Sequence, residues 1–156
     1  MRGYLKDCTR IEQTVGQIYR ELAKAVTEEE RLEKLFLQLA RDEEEHAQKL
    51  SMAEGIPPEI FFRSRKRTEE ELDRLLLRAA GVLGSLQRSP VGKDEALDIA
   101  VALERDFMRM HLDSAVEFKD EKIARLFGDL ARADEEHLGR LESYLTEIRG
   151  GESTVH

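Results

Sequence analysis

Apolar residues recur along most of this chain every three or four positions, the period of a helix with one buried face. Ile11, Val15, Ile18, Leu22 and Val26 mark a first helix over about Asp7 to Val26. Leu32, Leu35, Phe36, Leu39, Ala47 and Leu50 mark a second. Thr27 with Glu30 has the spacing of a capping box at its start, and Gly55, Pro57 and Pro58 stop it after Glu54. A helix of about 27 residues is long against a mean of about 11 to 12, and long helices joined by a short turn pack as an antiparallel bundle. Ile56 to Arg67 reads as an irregular connection, after which Thr68 with Glu71 opens a further amphipathic segment. It carries Leu72, Leu75, Leu76, Ala79, Leu83 and Leu86, runs to about Gln87, and ends at Ser89, Pro90 and Gly92. This segment is expected to be a packing helix on the outside of the bundle, inside a long crossover.

The third bundle helix, about Asp94 to Phe118, has Leu97, Val101, Met108, Leu112 and Ala115 on one stripe. A second band of Ile99, Leu103, Phe107 and Met110 lies behind it and needs cover from the crossover helix or a second subunit. Lys119 and Asp120 make a turn into a fourth helix ending near Ile148, with a frayed, flexible tail over 149–156. The expected architecture is all-α: one domain, a four-helix bundle over residues 7–148, and an additional helix at about 68–87.

The stripes are not purely apolar. Glu43 and His46 fall inside the second helix's core face, while Glu44 and Glu45 point away. The pattern LFLQLARDEEEH at Leu35 to His46 returns as LFGDLARADEEH at Leu126 to His137, with eight identities at a constant offset of 91. There Asp134 and His137 share the face of Ile123, Leu126, Phe127, Leu130 and Leu141. An acid three residues before a His lies about 4.5 Å from it along the helix axis, so both reach one bound ion. In a Glu-rich surface helix a lone acid-x-x-His means little; two in-register copies on buried faces are a ligand pattern. The repeat extends to the preceding helices. Glu12 and Tyr19 are seven apart, as are Glu104 and His111, at an offset of 92. Of the four His, only His156 lies off these faces.

Composition narrows the chemistry. Aromatics are 6%, Trp is absent and charged residues are 37% of the 156 residues, as in a helical protein with a single core. The net charge of −8 argues against a nucleic-acid surface, and the cluster Arg63, Arg65, Lys66, Arg67 is too short to reverse it. The single Cys8 excludes an intramolecular disulfide and any four-Cys metal module of the rubredoxin type within these residues. No apolar run is long enough to span a bilayer, Met1 to Arg10 lacks a signal-peptide core, and a cytoplasmic location is expected. Each buried ion costs several kcal/mol, so four inward carboxylates rival the roughly 5 to 15 kcal/mol that holds a domain folded. Two divalent cations would cancel that charge, and carboxylate with imidazole suits Fe(II), Mn(II) or Zn(II).

This ordered set of Glu12, Glu43 with His46, Glu104, and Asp134 with His137, joined by a long link between helices two and three, resembles the rubrerythrin-like branch of the ferritin-like di-iron carboxylate family. The resemblance covers nearly all of Asp7 to Ile148. It implies a ferritin-like bundle holding two irons per chain, with manganese or zinc as alternatives. Glu43 and the Asp134 position would bridge the metals, Glu12 and Glu104 would be terminal ligands, and His46 and His137 would bind one metal each. Tyr19 would hydrogen-bond an opposing ligand carboxylate, and Tyr19 and His111 are candidates for hydrogen bonding or proton transfer at the centre. The implied activity is oxidation by hydrogen peroxide or dioxygen, as a peroxidase or ferroxidase, with an external electron donor and assembly as a homodimer or higher oligomer. A non-catalytic metal-binding or iron-storage bundle, or a helical adaptor whose site has decayed, are the other readings.

Three departures stand out. Asp134 replaces the family's Glu, Phe107 occupies the place of an additional Glu one turn after Glu104, and these residues include no rubredoxin-like domain, so the donor is expected to be a separate molecule. Being one methylene shorter, Asp134 is expected either to draw the fourth helix inward or to bind a single metal. The two metal positions would then differ, with the one at His137 the weaker.

Overall fold

The computed structural model describes residues 2–54 and 66–154. Those residues form five helices and no strand: α1 Arg2–Ala25, α2 Glu30–Ala53, α3 Lys66–Arg88, α4 Lys93–Glu117 and α5 Glu121–Thr154. The pairs α1/α2 and α4/α5 are the most closely packed and form two antiparallel hairpins, with α3 in the crossover lying mainly along α1. This is a ferritin-like helical bundle. The expected stop at Gly55, Pro57 and Pro58, the connection at 56–65 with Arg63 and Arg65, and His156 lie outside the described residues.

Boundaries differ from expectation where tertiary packing overrides local signals. α1 begins five residues before Asp7, because Tyr4, Leu5 and Cys8 are buried and the Tyr4 hydroxyl shares a 2.8 Å hydrogen bond with Ser114 Oγ. The capping box at Thr27 is not used. α2 opens at Glu30 after Glu29, which makes no side-chain cap, and residues 26–28 form the turn. α3 opens at Lys66, leaving Thr68 inside the helix. α5 starts where expected: the Asp120 carboxylate accepts from the backbone N–H of Lys122 (2.9 Å) and Ile123 (3.0 Å), satisfying two of the donors every helix start exposes. It then continues past Ile148 to Thr154, so most of the expected tail is helical.

The second band on α4 is covered within the chain. Leu103, Phe107 and Met110 are buried in the same cluster as Leu72, Ala79 and Leu86 of α3, and an Arg78–Asp106 ion pair joins the two helices. Leu112 does not belong on the core face and is 50% exposed. At 100° per residue it lies about 60° from Leu97, and His111, Ser114 and Phe118 carry the buried face there. Aromatic pairs close the core on both sides of the polar cluster. Tyr19 stacks on Phe36 (6.1 Å between ring centres), and Phe118 on Phe127 (4.8 Å). None of the helices is long and apolar enough to cross a membrane, among the described residues.

Candidate metal centre

Each bundle helix turns part of its core stripe polar at the same level. Glu12, Glu43, His46, Glu104, His111, Asp134 and His137 are all at most 6% exposed. Their donor atoms fall into two groups, Glu43, Glu104, Asp134 and His137 in one and Glu12, Glu43 and His46 in the other, with the atoms of each group within 4.8 Å of one another. All six residues singled out as ligands are thus brought together, and Glu43 is common to both groups. His46 Nδ1 lies 3.4 Å from Glu43 and 3.8 Å from Glu12; His137 Nδ1 lies 3.3 Å from Glu104 and 3.4 Å from Glu43.

The seven-residue spacing on α1 and α4 has a matching role in each half. The Tyr19 hydroxyl donates to Glu104 Oε1 across the bundle. His111 faces the other way, its Nε2 2.9 Å from Glu12 Oε1 and its Nδ1 2.5 Å from Asp134 Oδ2. Each helix of the pair therefore supports the ligand carboxylate of the opposite hairpin. Removing the Tyr19 hydroxyl leaves Glu104 Oε1 with only the longer contact to His137 Nδ1 (3.3 Å), so Tyr19→Phe is expected to cost the metal-free protein about 0.5 to 1.5 kcal/mol. Urea denaturation at pH 7 measures this, and an unchanged midpoint would show the bond to be idle.

Asp134 groups with His137 and not with Glu12 and His46, so among the described residues Glu43 alone is common to both groups, and the short side chain is held by His111. The His137 group consequently has four protein donors and the His46 group three. The carboxylates are also not uncompensated, because His46, His111 and His137 lie among them. Burial disfavours the imidazolium forms, but contacts with Glu12 and Glu43 hold the His46 pKa up to about 10. Glu104 and Glu43 hold that of His137 up to about 11, against the same burial. For His111, burial is likewise outweighed by Asp134 and Glu12, and its pKa is raised well above the usual value. Burial pushes Glu104 up to about 8 despite His137, with Glu43 and Asp134 adding to the rise. Burial and the adjacent Glu12 raise Glu43 as well. Glu12 goes down: burial opposes this, but the Glu43 hydrogen bond and His111 hold it below the ordinary carboxylate range. Glu12 and Glu43 therefore titrate as a coupled pair, with the proton favouring Glu43 over Glu12.

Protons do not satisfy the whole cluster. Glu12 Oε1, Glu104 Oε2 and His111 Nε2 are buried with no hydrogen-bond partner among the described residues, the His111–Glu12 contact being out of alignment. Buried orphans of this kind are rare and require a further partner. A cation in each donor group supplies one to Glu12 and to Glu104, so the residues fit a two-metal centre, and carboxylate–imidazole ligation suits iron, manganese or zinc.

One contact had no counterpart in the sequence reading. His137 Nε2 lies 3.0 Å from Asp42 Oδ2, and Gln38 Nε2 donates to Asp42 Oδ1 at 2.9 Å. Asp42 lies off the apolar stripe, so periodicity could not find it. The repeat holds a trace of it, because Asp42 aligns with Ala133 where the residues around it match.

A ferritin-like bundle with paired carboxylate–imidazole groups at its centre defines the structural class. A rubrerythrin family model matches residues 4–75, just under half of the chain, spanning α1, α2 and the first part of α3 with Glu12, Tyr19, Glu43 and His46. Over those residues the chain is similar to the rubrerythrin family, in keeping with the ferritin-like bundle. Neither the curated proteins nor the solved structures include a match. Glu104, Asp134 and His137 lie beyond the matched stretch and rest on the internal repeat and the geometry.

Proposed function

We propose that this protein is a di-iron carboxylate oxidoreductase that reduces hydrogen peroxide or dioxygen with electrons from a separate donor. The observation that carries the reading is Glu43, one buried carboxylate belonging to two donor groups that together draw on all four bundle helices. Two irons held there would supply the electron pair that the oxidant takes; with peroxide, two protons are consumed and two waters leave. The chain's own part is to hold and enclose. Glu12, Glu43 and His46 would bind one ion and Glu43, Glu104, Asp134 and His137 the other. Tyr19 keeps Glu104 oriented, His111 keeps Asp134 oriented, and the packing of Phe36 and Phe127 excludes bulk water. The proposed setting is a reducing cytoplasm and the proposed assembly a homodimer or higher oligomer, for which exposed Leu112 and Val116 offer apolar surface.

Phe107 favours a second reading. It is buried where the related proteins are expected to place a further carboxylate, which leaves a poorer donor set for turnover and suits a protein that binds metal without reacting. Anaerobic loading with Fe(II) followed by hydrogen peroxide separates the two. The oxidoreductase consumes peroxide with Fe(II) oxidation faster than free Fe(II) in the same buffer and cycles when a reductant is added. Retention of Fe(II) at the free-ion oxidation rate identifies the binding protein, and no metal uptake identifies a helical adaptor.

A further inference from the structure

The internal repeat is broken at three positions outside the two donor groups, Leu37, Gln38 and Asp42, and the break at Asp42 stands next to the ligand motif. At the offset of 91, Asp42 of α2 corresponds to Ala133 of α5, although the neighbouring residues Leu39, Ala40, Arg41, Glu44, Glu45 and His46 all recur. The break matters because Asp42 touches a ligand. The His137 Nε2–H donates to Asp42 Oδ2 at 3.0 Å, while His137 Nδ1 faces Glu104 and Glu43. Asp42 is itself anchored, since Gln38 donates to its other oxygen and Arg41 donates to Gln38 Oε1 at 3.0 Å. By the antiparallel register that sets Asp42 against His137, residue 133 stands against His46. An alanine there offers His46 no side-chain acceptor.

We infer that Asp42 is a positioning residue that makes the two metal positions unequal, so that a divalent cation fills the Glu43, Glu104, Asp134 and His137 group first and the Glu12, Glu43 and His46 group second. The inference rests on the reading of the cluster as a metal centre. Its physical basis is the outer hydrogen bond. A carboxylate on Nε2–H fixes the tautomer that leaves the Nδ1 lone pair toward the cation and fixes the ring plane, so less freedom is lost on binding. The favoured group also has one more protein donor, Asp134, itself restrained by His111. The His46 group has neither the outer carboxylate of that repeat position nor a fourth ligand.

Zn(II) alone is the probe, titrated into the metal-free full-length chain against a chromophoric chelator, with anomalous scattering from crystals given one equivalent of zinc. Two binding steps are expected, the first ion lying beside His137. Asp42→Ala should weaken the first step by about 10- to 100-fold and leave the second unchanged, as loss of an outer partner does elsewhere. Asp42→Asn, which keeps an acceptor oxygen, should recover part of the loss. Ala133→Asp should strengthen the second step by about tenfold or more and leave the first alone. A merely structural role for Asp42 would shift both steps together, and that result overturns the inference. So does a first ion found between Glu12 and His46, or a first step indifferent to Asp42→Ala; each leaves the metal centre itself standing. Absence of any zinc binding removes the metal centre, and this inference with it.

Discussion

Glu43→Ala is expected to cut the metal content from two ions per chain to at most one and to abolish peroxide-dependent Fe(II) oxidation, with helical content unchanged. Among the described residues no other belongs to both donor groups, so its loss takes a candidate ligand from each and removes what would join them. The fold should tolerate the change better than a typical buried truncation. Burial and the neighbouring Glu12 raise the Glu43 pKa, which means its charged form is disfavoured where it sits. A void replaces a group that opposed folding in its ionised form, so the metal-free variant should melt within a few degrees of the parent. Elemental analysis, stopped-flow Fe(II) oxidation and circular dichroism measure the three quantities. A variant that still binds two ions and oxidises Fe(II) at the parent rate would remove Glu43 from the centre.

The second large effect is on pH. In the metal-free protein His46 and His137 are raised from about 6.5 to about 10 and about 11, and Glu104 is raised to about 8. A group whose folded pKa is raised contributes stability that is complete below its unfolded pKa and is lost as pH climbs through the folded value. For the two histidines that loss runs from about pH 6.5 to 11, and for Glu104 from about pH 4.5 to 8. Glu12 has the opposite sign, being lowered, so its contribution is present above about pH 4.5 and is lost only in acid. The metal-free protein should therefore be most stable near pH 5 and weaken steadily toward pH 9. A cation takes the place of the protons on His46, His137 and Glu104, and loading at pH 7 should release roughly three protons per chain. The rise in melting temperature on adding excess Zn(II) or Mn(II) should accordingly be small at pH 5 and several-fold larger at pH 8. The same rise at both pH values, or no proton release on loading, would show that metal does not displace these protons.

This pH behaviour marks a limit of reading residues singly. From the sequence, four carboxylates on inward faces imply a charge that two divalent cations would cancel. In the folded chain three imidazoles stand within contact of those carboxylates, so protons on the imidazoles can offset the carboxylate charge and a cation would compete with them. The inward placement of every one of these groups was legible, because helical periodicity ties face to position in the chain. Which carboxylate meets which imidazole was not, because that depends on the level at which four helices from distant parts of the chain come side by side.

The sequence by itself determined the all-helical bundle, the crossover helix, the inward set of carboxylates and imidazoles, and the twofold repeat that pairs Glu12 with Glu104 and the His46 motif with the His137 motif. Each of these follows from spacing within one helix or from self-similarity, both of which are local properties of the chain. Only the tertiary structure decided that α1 reaches back to Arg2, since Tyr4 gains its hydrogen-bond partner, Ser114, from α4. It also decided that Leu112 faces outward, that Asp134 serves one donor group and not two, and that Asp42 stands behind His137. The last two give the His137 group more support than the His46 group. A methylene lost at Asp134 is visible in the sequence, whereas the His111 and Asp42 contacts that outweigh it form only where separate helices meet.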